Sequence, residues 1–182
     1  MEFTDHELIG EICAGSTVAF EQLMGRYERL VYGIAFGFTG EREAALDVSQ
    51  NVFLRVHSKL STYKTEGSFK SWIARVAMNE SFNWKRAQKR HRASELDDEL
   101  PANPGLSQED RLWEREAWQL VNQSLAKLKP QHQLAVVLRY FEAMPIREIA
   151  GVLGSSEGVV KSILFRSLQK IRVEVRATTE VA

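Results

Sequence analysis

Only one cysteine, Cys13, occurs in the 182 residues, so no disulfide can form within the chain and burial must hold the fold. The four histidines, His6, His57, His91 and His132, are scattered, so no clustered metal set is visible and no metal or other cofactor is expected. Four prolines and eleven glycines are few, and long alternating polar–apolar runs are scarce, which points to an all-α class with one or two small domains. No apolar run approaches the roughly 20 residues that span a bilayer, and no signal peptide opens the chain. The expectation is a soluble cytoplasmic protein without membrane insertion. A Gly-rich phosphate loop is missing, as is any local nucleophile–base motif, so the chain does not read as an enzyme.

Net charge is also lacking, with 24 basic residues against 24 acidic ones. That balance hides a pattern. Residues 1–60 carry 5 basic against 9 acidic side chains, residues 61–92 carry 8 against 2, residues 93–116 carry 2 against 8, and residues 117–182 carry 9 against 5. Two basic blocks separated by an acidic one imply two nucleic-acid contacts, with another partner for the acidic parts.

The C-terminal block contains two short helices in sequence. Pro145 pre-sets a first turn, Ile146, Ile149 and Leu153 form one apolar face, and Ala150 is small enough for a second helix to cross closely. Gly154 ends the helix at a position suited to left-handed backbone. Ser155 or Ser156 can cap the next helix, with Glu157 at its positive end. Val160, Ile163, Leu164, Leu168 and Ile171 then recur at helical spacing and are expected to face inward. Lys161, Ser162, Phe165 and Arg166 share the outer face, a chemistry that suits a DNA major groove. The bland alternative is a helical hairpin with a solvated basic face.

The N-terminal part reads as a helical bundle. Thr4-Asp-His-Glu7 is a capping box for a short helix to about Cys13, with Gly15 as its stop. Ser16 opens a longer helix carrying Phe20, Leu23, Tyr27, Leu30, Val31, Ile34 and Phe38, which Gly40 ends. A third helix from about Glu41 to Leu60 has an apolar side of Ala45, Val48, Val52, Phe53, Val56 and Leu60, and a polar side of Asp47, Gln50, Asn51 and Arg55. On spacing alone that polar side is a solvated face. A polar loop, residues 61–68, precedes a fourth helix from Phe69 to about Arg92, whose core stripe is Phe69, Trp72, Ile73, Val76 and Ala77. Arg75, Asn79, Asn83, Arg86 and Arg90 fall on another face, with Phe82 and Trp84 among them. Basic, amide and aromatic side chains in this mixture suit DNA with unstacked bases; against this, Trp72, Phe82 and Trp84 can be bundle core, which is the better reading for Trp72 and an even one for Trp84.

Taken together, these two modules resemble a bacterial extracytoplasmic-function (group IV) RNA polymerase sigma factor of the sigma-70 family. The N-terminal likeness runs from Phe20 to Arg92. The segment Asp47 to Val56 is similar to the family's DxxQ(E/D)xFxxx, and Ser68 to Asn79 to its (S/A)Fx(T/S)WLxRIAxN. The C-terminal likeness covers about Ala117 to Arg172, where Gly158 to Arg166 is similar to GTVKSRLxRA. The resemblance implies that Asp47, Gln50, Asn51 and Arg55 bind the polymerase core through its beta and beta-prime subunits. It also implies that Tyr63, Lys64, Ser68, Arg75, Asn79, Asn83, Trp84 and Arg86 handle the −10 promoter element, where a flipped base enters a pocket beside the 61–68 loop. Lys161, Ser162, Phe165 and Arg166 would then read the −35 element, carried by helices 117–127 and 130–141 and the helix-turn-helix, and an anti-sigma factor is a further implied partner. Three positions depart from the pattern: Val159 for Thr, Ile163 for a frequent Arg, and Asn51 for an acidic residue.

The implied architecture is all-α, with a region-2-like domain over residues 1–92, a flexible acidic linker over 93–110 and a region-4-like domain over 111–182. Pro101, Pro104 and Gly105 forbid a continuous helix through the linker, and Ser107 to Asp110 begin the next one. A stand-alone helix-turn-helix regulator, with the N-terminal bundle for sensing or dimerisation, is the competing reading.

Overall fold

A computed structural model describes residues 3–63, 68–92 and 120–179, and every regular element in that range is helical. Lys64 and the linker 93–110 lie outside the described residues, as does the start of the helix expected from 117. The elements are α1 (Asp5–Cys13), α2 (Thr17–Thr39), α3 (Arg42–Lys59), a 3₁₀ turn (Leu60–Thr62), α4 (Phe69–Arg92), α5 (120–126), α6 (Pro130–Val136) running into a π turn (Val137–Phe141), α7 (Ile146–Leu153) and α8 (Glu157–Thr179).

The expected boundaries have local causes. Thr4 and Glu7 form the reciprocal capping box, with Thr4 N–H donating to Glu7 Oε2 at 2.6 Å. The Ser16 hydroxyl accepts from Ala19 N–H and opens α2. Gly40 and Gly154, at φ +74° and +61°, end α2 and α7 in the left-handed conformation that a Cβ would penalise. Between the two candidate serines, Ser156 caps α8, accepting from Val159 N–H at 3.4 Å.

The bundle of α1 to α4 buries the expected stripes: Leu23, Leu30, Val31, Ile34 and Phe38 on α2, Ala45, Val48, Val52 and Val56 on α3, and Phe69, Ile73 and Ala77 on α4. Phe53 is only half-buried. In the second half, Leu125, Leu134, Leu138, Ile149, Val152, Val160 and Leu164 are buried. Leu168 departs from expectation, because it is 39% exposed and the buried position of that turn belongs to Ser167. The inward stripe of α8 therefore runs Val160, Leu164, Ser167 and half-buried Ile171. Ser167 tolerates the interior because its hydroxyl donates to Ile163 O at 2.7 Å and lies 3.3 Å from His132 Nδ1.

The two halves pack on each other and share one buried cluster. A row of glycines on α2 makes the close approach possible. A Cβ on Gly33 would land on the carboxylate of Glu142, one on Gly37 would come within 2.5 Å of Val137 Cγ2, and one on Gly40 would land on the amide of Asn122. Gln133 Nε2 donates to Gly37 O at 3.1 Å in the buried seam. The π turn after α6 belongs to the same contact. Its wider winding brings residues five apart toward one face, so Val137 and Glu142 both reach α2.

Candidate nucleic-acid interface

Four surfaces carry the candidate residues, and burial separates their roles. On α3, Asp47, Gln50, Asn51 and Arg55 are all exposed. Arg55 also reaches across to α4, where its Nε pairs with Glu80 Oε1 at 2.9 Å. Two apolar residues that the sequence reading passed over, Leu46 and Leu54, stand in the same exposed region, Leu54 at 69% exposure. Leu46, Gln50 and Leu54 follow at four-residue steps, so they form one stripe of α3. Sorting the helix into an apolar inside and a polar outside hid them. An exposed stripe of two leucines and a glutamine, flanked by Asp47 and Asn51, has the composition of a protein-binding face.

On α4, Arg75, Asn79, Phe82, Asn83 and Arg86 are exposed together, as the spacing implied. Trp84 and Trp72 are half-buried and pack against the core. Arg75 is not open in this arrangement. Its Nε donates to Val152 O at 2.6 Å and its Nη2 to Gly151 O at 2.7 Å, so the guanidinium caps the C-terminal carbonyls of α7. Lys70 makes a second bridge to α7, 2.6 Å from Glu148 Oε2.

The described residues on either side of 64–67 are anchored differently from each other, and 61–62, expected as loop, belong to the 3₁₀ turn. Ser68 caps α4, accepting from Ser71 N–H at 3.1 Å, with the two hydroxyls 3.0 Å apart. Tyr63 is half-buried in an aromatic block, its ring centroid 5.5 Å from Phe69 and 5.3 Å from Trp72. Burial, and after it the negative charge of Asp5, hold the Tyr63 phenol above its ordinary range, so this side chain is neutral at physiological pH.

On α8, Lys161, Ser162, Phe165 and Arg166 are all exposed on one side, with Phe165 at 65%. Ser162 returns its hydroxyl hydrogen to Gly158 O at 3.0 Å, which leaves its lone pairs outward. Val159, at the departure from the family pattern, is exposed beside them. His132 lies behind this face. Burial first, then the cations Lys129, Lys170 and Arg166, push its imidazole below the ordinary value. The three cations near His132 put positive charge at this face, which suits a phosphate backbone.

Among the described residues, no group of three or more His, Cys, Asp or Glu side chains is placed to hold a metal ion, and no helix is long and apolar enough to cross a membrane.

Comparison with known proteins bears on both halves. The family model for Sigma-70 region 2 matches residues 23–91, and that for Sigma-70, region 4 matches residues 124–173. The chain is 27% identical over 168 residues to the RNA polymerase sigma factor YlaC of Bacillus subtilis, covering 89% of this chain and 95% of that protein. It is 24% identical over 187 residues to the ECF RNA polymerase sigma factor SigW of the same organism, covering 97% and 99%. Among solved structures it is similar to CnrH in complex with the cytosolic domain of CnrY, with TM-score 0.68 and 22% identity over 95% of this chain and 97% of that one. It is also similar to the sigma factor RpoE in complex with the anti-sigma factor NepR from Bartonella quintana, with TM-score 0.61 and 16% identity over 86% and 96%.

Proposed function

The chain belongs to the sigma-70 family, in its extracytoplasmic-function group, and from that premise we propose that it directs RNA polymerase core to promoters by reading a −35 element with α8 and a −10 element with α4 and the 61–68 loop. The observation that carries the reading is the exposed set Lys161, Ser162, Phe165 and Arg166 on a helix whose opposite stripe is buried, inside the region 4 match. Such a helix can enter a major groove and present donors to base edges. Asn79, Asn83 and Arg86 offer amide and guanidinium groups to an opened strand. Tyr63, Lys64 and Ser68 precede α4 in the sequence and complete the set. The beta-prime and beta subunits of the core take Asp47, Gln50, Asn51 and Arg55, together with Leu46 and Leu54. The protein acts by binding, in the cytoplasm where polymerase and DNA are, and an anti-sigma factor is its third partner.

Core binding tests the polymerase face. Asp47→Ala with Gln50→Ala lowers affinity for core about tenfold, the worth of two ordinary polar contacts, with unchanged circular dichroism. Equal affinity of variant and wild type in a core titration refutes the assignment. Run-off transcription on genomic fragments separates this reading from a stand-alone regulator: transcripts that require both the chain and core polymerase support it, and operator-like binding by the chain alone opposes it.

A further inference from the structure

His132, the third residue of α6, lies against α8 behind the exposed set, and the −35 assignment gives it no role. Its half-buried ring rests on Ser167, which is fully buried on α8 between Arg166 and Leu168. The Ser167 hydroxyl has one hydrogen and donates it to Ile163 O at 2.7 Å. Its oxygen, 3.3 Å from His132 Nδ1, is therefore left to accept, and Nδ1 carries the hydrogen of the neutral ring. Nε2 is then bare, and it has no hydrogen-bond partner among the described residues. Three cations stand around the ring, and no acid does. Lys129 precedes α6 at its N-cap, and Arg166 and Lys170 follow one turn apart on α8. All three are exposed, and none is ion-paired with a described residue. Glu174, one turn beyond Lys170, is paired with Lys127. No charge on α2, α4 or α7, which also pack on α6, acts on the ring.

We propose that Lys129, His132 and Lys170 form a seat for one phosphodiester of the duplex beside the −35 bases, and that His132 takes up a proton as the phosphate binds. The inference deepens the assignment of α8 to the −35 element and rests on it. Lysines placed around an unpaired Nε2 supply positive charge without a competing acid, which is what a phosphate oxygen requires. In the free chain burial, and then the three cations, keep the ring neutral at physiological pH. A phosphate seated among them reverses the local field. The protonated ring then offers Nε2–H to the phosphate while Nδ1–H stays on Ser167. One proton passes from solvent to Nε2, and no other covalent bond forms or breaks. Binding therefore tightens as pH falls between the value of the ring in the complex and its lower value in the free chain. The gain is at most about tenfold per pH unit for one proton, and binding is level outside that window. Arg166, one residue before Ser167, remains free to read a base edge, so the seat fixes register on the duplex and carries no sequence information.

The test uses holoenzyme assembled from core polymerase and the full chain, titrated with promoter duplex at constant ionic strength from about pH 5.5 to about pH 8.5, the range in which a histidine changes charge. From the alkaline to the acid end wild type gains about tenfold in affinity over His132→Gln, one pKa unit of coupling, and the two converge at the alkaline end. Taking the ratio of wild type to variant cancels every other group that titrates. Uncharged methylphosphonate, placed at each −35 backbone position in turn, removes the gain at one position and spares it at the others. Lys129→Gln and Lys170→Gln weaken binding at every pH and each lower the salt slope by about one. Preference among −35 bases stays as in wild type. Without any variant, the His132 imidazole followed by NMR in the full chain titrates at higher pH with saturating −35 duplex than without it. A wild-type pH course in His132→Gln, unchanged salt slopes in both lysine variants, or an NMR titration that duplex does not move overturns the proposal. So does a loss confined to one base, which makes His132 a base reader. Lys161→Ala with Arg166→Ala separates the two levels. If this pair alters −35 preference while His132→Gln keeps the wild-type pH course, the phosphate seat is wrong and −35 reading stands. If the pair leaves −35 preference untouched, reading by α8 is itself wrong and the proposal falls with it.

Discussion

Arginine serves three different ends in this molecule, and only its neighbours tell them apart. Arg55 pairs with a carboxylate of the adjacent helix, Arg75 caps backbone carbonyls, and Arg166 stands exposed on the outer side of α8. The last is the one free in this arrangement to present its planar fork to a guanine edge, a contact worth roughly 1–3 kcal/mol of discrimination. Arg166→Ala should therefore relax −35 preference at one base position and leave the others in order. Activity measured across all single −35 substitutions checks this, and an equal loss on every variant makes Arg166 a phosphate contact instead. The exposure of Arg166, Lys161 and Phe165 was legible in the sequence because each stands off a clear inward stripe. The partners of Arg75 were not, since the acceptors are main-chain oxygens 76 and 77 residues away that leave no mark in side-chain pattern. Leu168 misled for a related reason: polarity assigned the leucine inward, whereas helical phase put Ser167 there and a local hydrogen bond made it acceptable.

At the scale of the helix, α2 shows how one residue type has opposite effects along a single element. Gly25 is exposed with nothing within 4 Å of where a Cβ would sit, whereas Gly37 faces Val137 of the π turn. Gly25→Ala should raise stability by up to ~1 kcal/mol, because alanine is the better helix former and meets no obstacle. Gly37→Ala carries the same propensity gain against an overpacking cost of about 1–3 kcal/mol, since Val137 is branched and held by the buried seam. Denaturant melts of the two variants beside wild type should shift in opposite directions, and a stabilised Gly37→Ala removes the close approach as a feature of the folded chain. Caps, lengths and inner faces of α1 to α4 were readable because Thr4, Ser16, Gly40 and the apolar spacing act locally. The π turn was not. The stretch 130–141 has an ordinary helical composition, and its widened last turn coincides with the fit of Val137 and Glu142 against glycines about a hundred residues earlier, which local pattern does not register.

For the whole molecule, the packing of the two halves places a carboxylate where it is poorly solvated. Glu142 sits in the notch left by Gly33, and burial raises its carboxyl above the ordinary range even though Arg29 on α2 and Lys70 on α4 pull it down. Glu148, bonded to Lys70, Arg75, bonded to α7, and Lys85, whose Nζ donates to Gln133 Oε1 at 3.4 Å, are further charges at this seam. An acid whose value is raised in the packed form favours packing when protonated. The contribution is full below the value in the separated form and is lost as pH rises through the packed-form value. Acidification from neutrality should therefore draw the halves together, and Glu142→Gln should hold them equally close at either end of the range. Distance between fluorophores on α3 and α8 across pH reports it, and an unchanged pH response in Glu142→Gln assigns the effect elsewhere. The Arg75 contact has a consequence of another kind. A guanidinium seated on two carbonyls cannot at the same moment seat on a phosphate, so on the reading that Arg75 meets the opened strand, packed and DNA-bound molecules are rival populations. For each tenfold excess of packed over parted molecules, the apparent dissociation constant for the opened strand rises about tenfold, with no change in the chemistry of reading. Because the acceptors are peptide oxygens of Gly151 and Val152, side-chain replacement in α7 does not delete them. On that reading, the intrinsic strength of the reader and the fraction of time it is available are written in separate parts of the chain, one in the side chains of α4 and the other in the backbone of α7.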